Sequence, residues 1–251
     1  MKQLTIAGCR IPVSLDIDQN VHSIMAAIDW AALNDVDIIS TPECALSGYM
    51  WHPVGPNDAR VLAITRGLRQ LEEYSLLKGV DLVLGTAYYD KQGAWSNMQA
   101  FIVAGHCECH YAKQVLTGPE LEYYTPGRSI TVMNYHGRKI SGLICNDLWS
   151  NPVMWPGDSA FIMQGLKDQQ VDCVFVSAHL PSSVDNQELF NSWNNTCIRM
   201  YSLTGGWHTV VSDRSLPNAP ALGPVGIVDK QGTWQAQGHD NDVDYFKFTV
   251  N

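Results

Sequence analysis

The stretch QLTIAGCRIPVSLDIDQNVHSIMAAIDWAALNDVDIIST, Gln3 to Thr41, decides the fold class. Its two ends, "QLTIAGC" and "VDIIST", are short, apolar and bounded by polar residues, as buried strands are. Between them Val21, Ile24, Ala27, Ile28 and Ala31 recur at helical spacing, so a helix here presents one apolar face, with Asn20 as its expected N-cap. Strand, helix and strand in succession make a βαβ unit, and the chain is read as α/β.

The pattern continues along the chain. "DARVLAITRGLRQLEEYSLLKG" carries a second helical face, and the apolar runs "VDLVLGTAYY" and "NMQAFIVAG" follow, joined as a hairpin through Asp90 to Asn97, with "CECHYA" as a further short strand. From Ile130 to Cys145 two strands meet at the glycine-containing turn "YHGRK". A helix is expected around Ala160 to Lys167, then the buried strand "VDCVFVSA", a helix over "NQELFNSWNNTCIRMYSL", a hairpin in "GPVGIVDKQGTWQA" and a last strand "VDYFKFTV". The adjacent hairpins predict mixed rather than purely parallel sheets.

A chain of 251 residues with 45% hydrophobic content can bury a full core. No repeat or composition shift divides it, so residues 1–251 are read as a single domain. The net charge of -9, with only 16 Lys and Arg, argues against a nucleic-acid partner, which requires clustered positive charge. "MKQLTIAGCRIPV" has an apolar run broken by Arg10 and no small-residue cleavage pattern, so it reads as a strand rather than a signal peptide. With no apolar window long enough to span a bilayer, a cytoplasmic chain without a membrane partner is expected. Seven cysteines, an odd number scattered along the chain, do not form a disulfide framework. Cys107 and Cys109, beside His110, lack a second ligand pair, and no metal site is expected there.

Three apolar strands end on a reactive side chain: Glu43 after "VDIISTP", Lys113 after "CHYA" and Cys145 after "ISGLI". Ligands of open α/β sheets sit beyond the carboxyl ends of strands, so the three can meet in one pocket. A thiol, a carboxylate and an ammonium suffice for covalent acyl transfer. The carboxylate takes the thiol proton, and the cation, with the main-chain N–H of Asn146, faces the developing oxyanion. Glu120 or Glu122 is placed to hold Lys113. By residue type alone, each also fits a structural role: Cys145 as a small buried hydrophobe, Lys113 as a surface charge, Glu43 as a loop carboxylate.

In their surroundings these residues resemble the carbon-nitrogen hydrolases of the nitrilase superfamily. "TPECALSGY", Thr41 to Tyr49, is similar to the segment that supplies the general base, which implies Glu43. "YAKQVLTGPELEYYTPG", Tyr111 to Gly127, resembles the lysine segment, with a glutamate seven residues on; that implies Lys113, and Glu120 rather than Glu122. "GLICNDLW", Gly142 to Trp149, resembles the nucleophile segment, implying Cys145. Weaker similarities are Asn97, Arg199 and "GPVGIVDKQG". The resemblance implies a four-layer α-β-β-α sandwich with two mixed sheets, pairing into at least a homodimer. It also implies hydrolysis of a small-molecule amide through a cysteine thioester, without cofactor or metal. The expected catalytic residues are Glu43, Lys113, Cys145 and Glu120. The expected substrate contacts are Tyr49, Asn146, Trp149, Trp155 and His179.

The chain also departs from the family pattern. Val115 stands where a histidine is common, and Thr204 and Gly205 replace a usual Glu and Asn. "WSNPVMWPGDS" lengthens the connection after Cys145, and its apolar residues suit either a pocket lid or an oligomer contact. "ICNDLW" is reminiscent of N-carbamoyl amino acid hydrolases, but Leu148 and Trp149 replace the arginines that grip a carboxylate, so Arg199 or Arg214 would have to do so. Asn146 stands where nitrilases often have Trp, which favours an amide over a nitrile. A noncatalytic binding subunit retaining the fold is the alternative from another class, and a redox-sensing thiol a third.

Overall fold

The first helix begins one turn earlier than its apolar face suggests. In the computed structural model, which describes residues 3–49, 58–150, 161–181, 184–216, 223–238 and 242–251, the βαβ unit is β1 (Leu4–Ile11), α1 (Ile17–Leu33) and β2 (Ile38–Ser40). Asp16, not Asn20, is the N-cap: its carboxylate accepts the Gln19 N–H at 3.1 Å. The cap goes to Asp16 because the residue after it, Ile17, is itself buried. Asn20 lies within the first turn, where its amide donates to Ser14 O and Leu46 O at 2.8 and 3.0 Å and ties the helix to the loop after β2. The predicted face is buried in full, from Val21 to Ala31.

The chain continues through α2 (Asp58–Lys78), β3 (Asp81–Tyr89), β4 (Trp95–Val103), β5 (His106–Ala112), β6 (Val132–Tyr135), β7 (Arg138–Ile144), α3 (Ile162–Asp168), β8 (Cys173–Ser177), α4 (Gln187–Gly205), β9 (His208–Arg214), β10 (Gly226–Val228), β11 (Trp234–Gln237) and β12 (Asp244–Val250). The first hairpin turn is tighter than expected, since Trp95 and Ser96 already pair with Tyr89 and Tyr88. At "YHGRK" the two corner residues, His136 and Gly137, have φ of 48° and 81°, the left-handed pair that a two-residue hairpin of matching twist needs. Strand β9, beyond those expected from the sequence, carries the run Thr209, Val210 and Val211 after the Gly206 helix cap at φ 77°.

Two mixed sheets result. One runs β5-β4-β3-β2-β1 with β12 antiparallel to β1, the other β6-β7-β8-β9 with β10 and β11 beyond, and they join where Arg10 and Ile11 pair with Asp213 and Arg214. Alternation along the strands sorts the core. Ile6, Ile38, Val83 and Phe101 face the second sheet, while Ala7, Ile39, Leu82 and Ile102 face α1 and α2; Ile162, Leu166 and Ile198 bring α3 and α4 onto the outer side of the second sheet. This is the expected α-β-β-α sandwich. Among the described residues no helix is long and apolar enough to cross a membrane.

Near the strand ends the interior turns polar. Gln99 Nε2 donates to Phe175 O at 3.1 Å and Ser177 Oγ at 2.7 Å, Ser177 Oγ donates to Thr41 O at 2.7 Å, and Ser212 Oγ to Ser40 O at 2.9 Å. These bonds stitch the two sheets together where a dry core would leave carbonyls unpaired. Strands β1, β2, β7, β8 and β9 run parallel, and β5 returns to the same direction after two antiparallel steps, so their carboxyl ends share one edge of the layers.

Candidate active site

That shared edge brings Glu43, Lys113 and Cys145 together. The loop after β2 is held by Glu43 N–H donating to Ala178 O at 3.1 Å, beyond the end of β8 in the other sheet. Gly85 permits this path, since a Cβ there would lie 2.0 Å from Pro42 O. Lys113 follows β5, with its N–H on Asn97 O at 2.9 Å and its own carbonyl accepting the Gly127 N–H at 2.8 Å. This second contact explains the Pro-Gly pair at 126–127, because a Cβ on Gly127 would sit 2.2 Å from Ala112 O.

Lys113 Nζ donates to Glu43 Oε1 at 2.7 Å and to both oxygens of Glu120 at 2.9 Å, and all three side chains are essentially enclosed. Of the two glutamates it is Glu120 that holds Lys113; Glu122, in the same 3₁₀ turn over Pro119–Glu122, is exposed. Thr117 N–H donates to Glu120 Oε2 at 2.8 Å and fixes that carboxylate in turn. Glu43 Oε1 also accepts Asn97 Nδ2 at 2.7 Å, whereas the buried Oε2 has no partner among the described residues.

Cys145 sits where β7 gives way to a 3₁₀ turn, Cys145–Trp149, with φ 43°. A left-handed conformation at a residue with a side chain costs about 1–3 kcal/mol and is kept where it aims a group. Here it turns the thiol out of the strand. Cys145 is partly exposed and in electrostatic contact with Lys113 and Glu43, and the His179 main-chain N–H donates toward its sulfur.

The charges are tuned by burial and by one another. Burial pushes Glu43 up to about 7 against the pull of the Lys113 ammonium. Burial also opposes the charge on Lys113, but Glu43, Cys145 and Glu120 outweigh it, and the ammonium is held above the usual lysine range. Burial raises Glu120 less than Lys113 and the Thr117 bonds lower it, so it stays an anion. Burial, reinforced by Glu43, pushes the Cys145 thiol well above its ordinary value. The resting thiol is therefore protonated beside a carboxylate poised to accept its proton.

Two positioning residues have no role in the sequence reading. Asn97, noted there only as a weak similarity, lies in β4 and spans Glu43 and Glu120, at 2.7 and 3.1 Å. Asp147, fully buried, accepts Gln114 N–H and Val115 N–H on Oδ1 at 3.1 and 2.8 Å, and Tyr111 O–H and Ile144 N–H on Oδ2 at 2.8 and 3.0 Å. One carboxylate thus clamps the lysine segment to the cysteine turn. The Val115 departure is accommodated by this clamp, which uses the main chain of that residue. The signal available was Asp147 two residues after the cysteine; its partners are remote in sequence.

Of the expected substrate contacts, Tyr49 and His179 stack at 4.6 Å between centroids, and Tyr49 is within electrostatic reach of Glu43, Glu120 and Cys145. Asn146 is buried beside Cys145. The Trp149 indole is held by α4, donating to Asn194 Oδ1 at 3.2 Å and meeting Phe190 edge-on. Trp155, and most of the segment read as lid or oligomer contact, lies outside the described residues. Arg199 donates to Gly232 O at 2.8 Å, and Arg214, at the end of β9, directs two nitrogens to Leu180 O.

The four layers are those of the nitrilase superfamily, a class of carbon-nitrogen hydrolases. The chain belongs to the carbon-nitrogen hydrolase family, whose sequence pattern matches residues 3–158. It is 26% identical over 155 residues to the glutamine-dependent NAD(+) synthetase of Acinetobacter baylyi and 25% over 151 residues to that of Aquifex aeolicus. These matches cover 60% and 59% of this chain but 28% and 26% of those proteins, so the chain spans just over a quarter of the curated relatives' length. The structure of the glutamine-dependent NAD+ synthetase from Acinetobacter baumannii superposes with a TM-score of 0.84 at 21% identity, over 100% of this chain and 46% of that one. An amidase of the nitrilase superfamily from Nesterenkonia superposes with a TM-score of 0.79 at 17% identity, over 98% and 90%.

Proposed function

We propose that the chain is an amidase that hydrolyses the carbon–nitrogen bond of a small amide through a thioester on Cys145. The observation that carries this reading is the division of labour at Glu43: Oε1 is saturated by Lys113 and Asn97, while Oε2 is enclosed without a partner among the described residues. An unpaired buried carboxylate oxygen costs stability and is explained if it takes a proton.

Oε2 removes the thiol proton as sulfur attacks the amide carbon, and the C=O electrons move to oxygen. Lys113 has three N–H bonds. One serves each carboxylate, and the third, on the second Glu120 oxygen, turns to the oxyanion together with the Asn146 N–H. Protonated Glu43 returns the proton to the departing nitrogen, the C–N bond breaks, and ammonia or an amine leaves. A water then gives its proton to Oε2 and attacks the thioester; the C–S bond breaks, the acid leaves, and Glu43 returns the proton to the departing sulfur. Glu120 holds Lys113 throughout.

The glutamine side-chain amide is the second reading, supported by the similarity to glutamine-dependent synthetases. Ammonia release is measured over simple amides, glutamine, carbamoyl compounds and nitriles. Cys145→Ala is expected to abolish it with folding intact. Cys173→Ala, at the start of β8 and buried in the core, is expected to change it little. Equal activity of the two variants removes the mechanism, and silence of the wild type across the panel favours a binding subunit.

A further inference from the structure

His179 carries an unused capacity for hydrogen bonding at the reaction centre. Its main-chain N–H donates toward the Cys145 sulfur, so the residue abuts the thiol. Its ring stacks on Tyr49, which is itself within electrostatic reach of Cys145. Yet Nδ1 is enclosed and meets no partner among the described residues. A buried ring nitrogen without a partner is destabilising, and a site retains one where a ligand supplies the missing bond.

The charges around the ring narrow what that ligand is. Burial, with Arg214 and Lys113 acting in the same direction, holds the imidazole neutral, its pKa lowered to about 3. Arg214 and Lys113 on one side and the carboxylates Glu43 and Glu120 on the other offset each other, so the position favours neither sign of charge. A neutral group with a hydrogen to donate or a lone pair to offer satisfies Nδ1 in either tautomer.

We propose that His179 is the specificity-determining residue, and that the substrate is an amide bearing an uncharged hydrogen-bonding substituent, a hydroxyl or a second carboxamide, close to its carbonyl carbon. The proposal rests on the amidase reading of Cys145 for its catalytic arm only. Tyr49 backs the imidazole by stacking and fixes its plane, which makes the hydrogen bond directional.

Lactamide and isobutyramide test it, since they differ by a hydroxyl in place of a methyl. The wild type is expected to favour lactamide in kcat/KM by roughly 10- to 100-fold, the range of one buried hydrogen bond. In His179→Phe, which keeps an aromatic ring against Tyr49, the ratio should fall to about one, and His179→Asn, which keeps a polar atom at the position of Nδ1, should restore several-fold of it. Binding is measured separately by calorimetry on the Cys145→Ala protein, where the same preference is expected without turnover. Equal affinity for the two amides there overturns the proposal whatever His179→Phe does, and so does a preference that survives in the double variant. Tighter binding of malonamate that is lost in Arg214→Gln overturns it in favour of a carboxylate. Preferential lactamide binding with no ammonia from any amide upholds the role of His179 and ends the amidase reading; ammonia release without the preference does the reverse.

Discussion

Replacing Asp147 with asparagine removes one charge and adds no bulk, and it tests whether one carboxylate registers the lysine and cysteine segments. Either orientation of the new amide points an NH₂ at two former donors. With NH₂ on the Oδ1 side it faces the N–H groups of Gln114 and Val115, neither of which can accept; on the Oδ2 side it faces Tyr111 O–H, which can turn and accept, and Ile144 N–H, which cannot. The second orientation is favoured and orphans one buried N–H. An orphaned donor costs about 1–3 kcal/mol, and the bonds that remain lose the extra strength of a charged acceptor, so a loss of about 3–5 kcal/mol is expected. In a chain of 251 residues this lowers Tm by roughly 6–20 °C. The reaction centre loses its registration as well, and a displacement of about 1 Å costs on the order of 100-fold in kcat. Guanidinium unfolding and ammonia release give the two readouts. Stability within about 0.5 kcal/mol of wild type, or activity within a factor of about three, refutes the clamp.

Two further outcomes follow from the same geometry. With Glu43 raised to about 7 and required as its anion, kcat/KM for an amide should climb with pH to a plateau above that value, because the protonated acid cannot take the thiol proton. Glu43→Gln should lower the plateau by ~100- to 10,000-fold and flatten the climb, and a climb retained in that variant assigns the base elsewhere. Gly127→Ala brings a methyl to 2.2 Å from Ala112 O, so the Gly127 N–H to Lys113 O contact must give way. Destabilisation of about 1–3 kcal/mol with a disproportionate fall in kcat is expected, and unchanged kinetics show that Lys113 is held without it.

The features legible in the sequence are those that a few neighbouring residues encode. Helical spacing from Val21 to Ala31 predicted the buried face of α1, apolar runs predicted most strands, and each strand that ended on a reactive side chain does so in the structure. Glu43, Lys113, Glu120 and Cys145 were readable because three local segments carry them. Their meeting at one edge of the layers followed from the strand-end rule and the family resemblance.

What only the tertiary structure decided is how groups distant in sequence divide their bonds. Asp16 rather than Asn20 caps α1 because Ile17 finds a place in the core, and β9, absent from the expected strands, pairs β8 and touches β1 to join the two sheets. Asn97 and Asp147 became interpretable once β4, β5 and β7 set them against their partners. Local pattern records propensity and burial, which act over one turn or one strand. Which carboxylate oxygen is saturated and which is left open depends on donors brought from 54 and 70 residues away, and packing alone decides that.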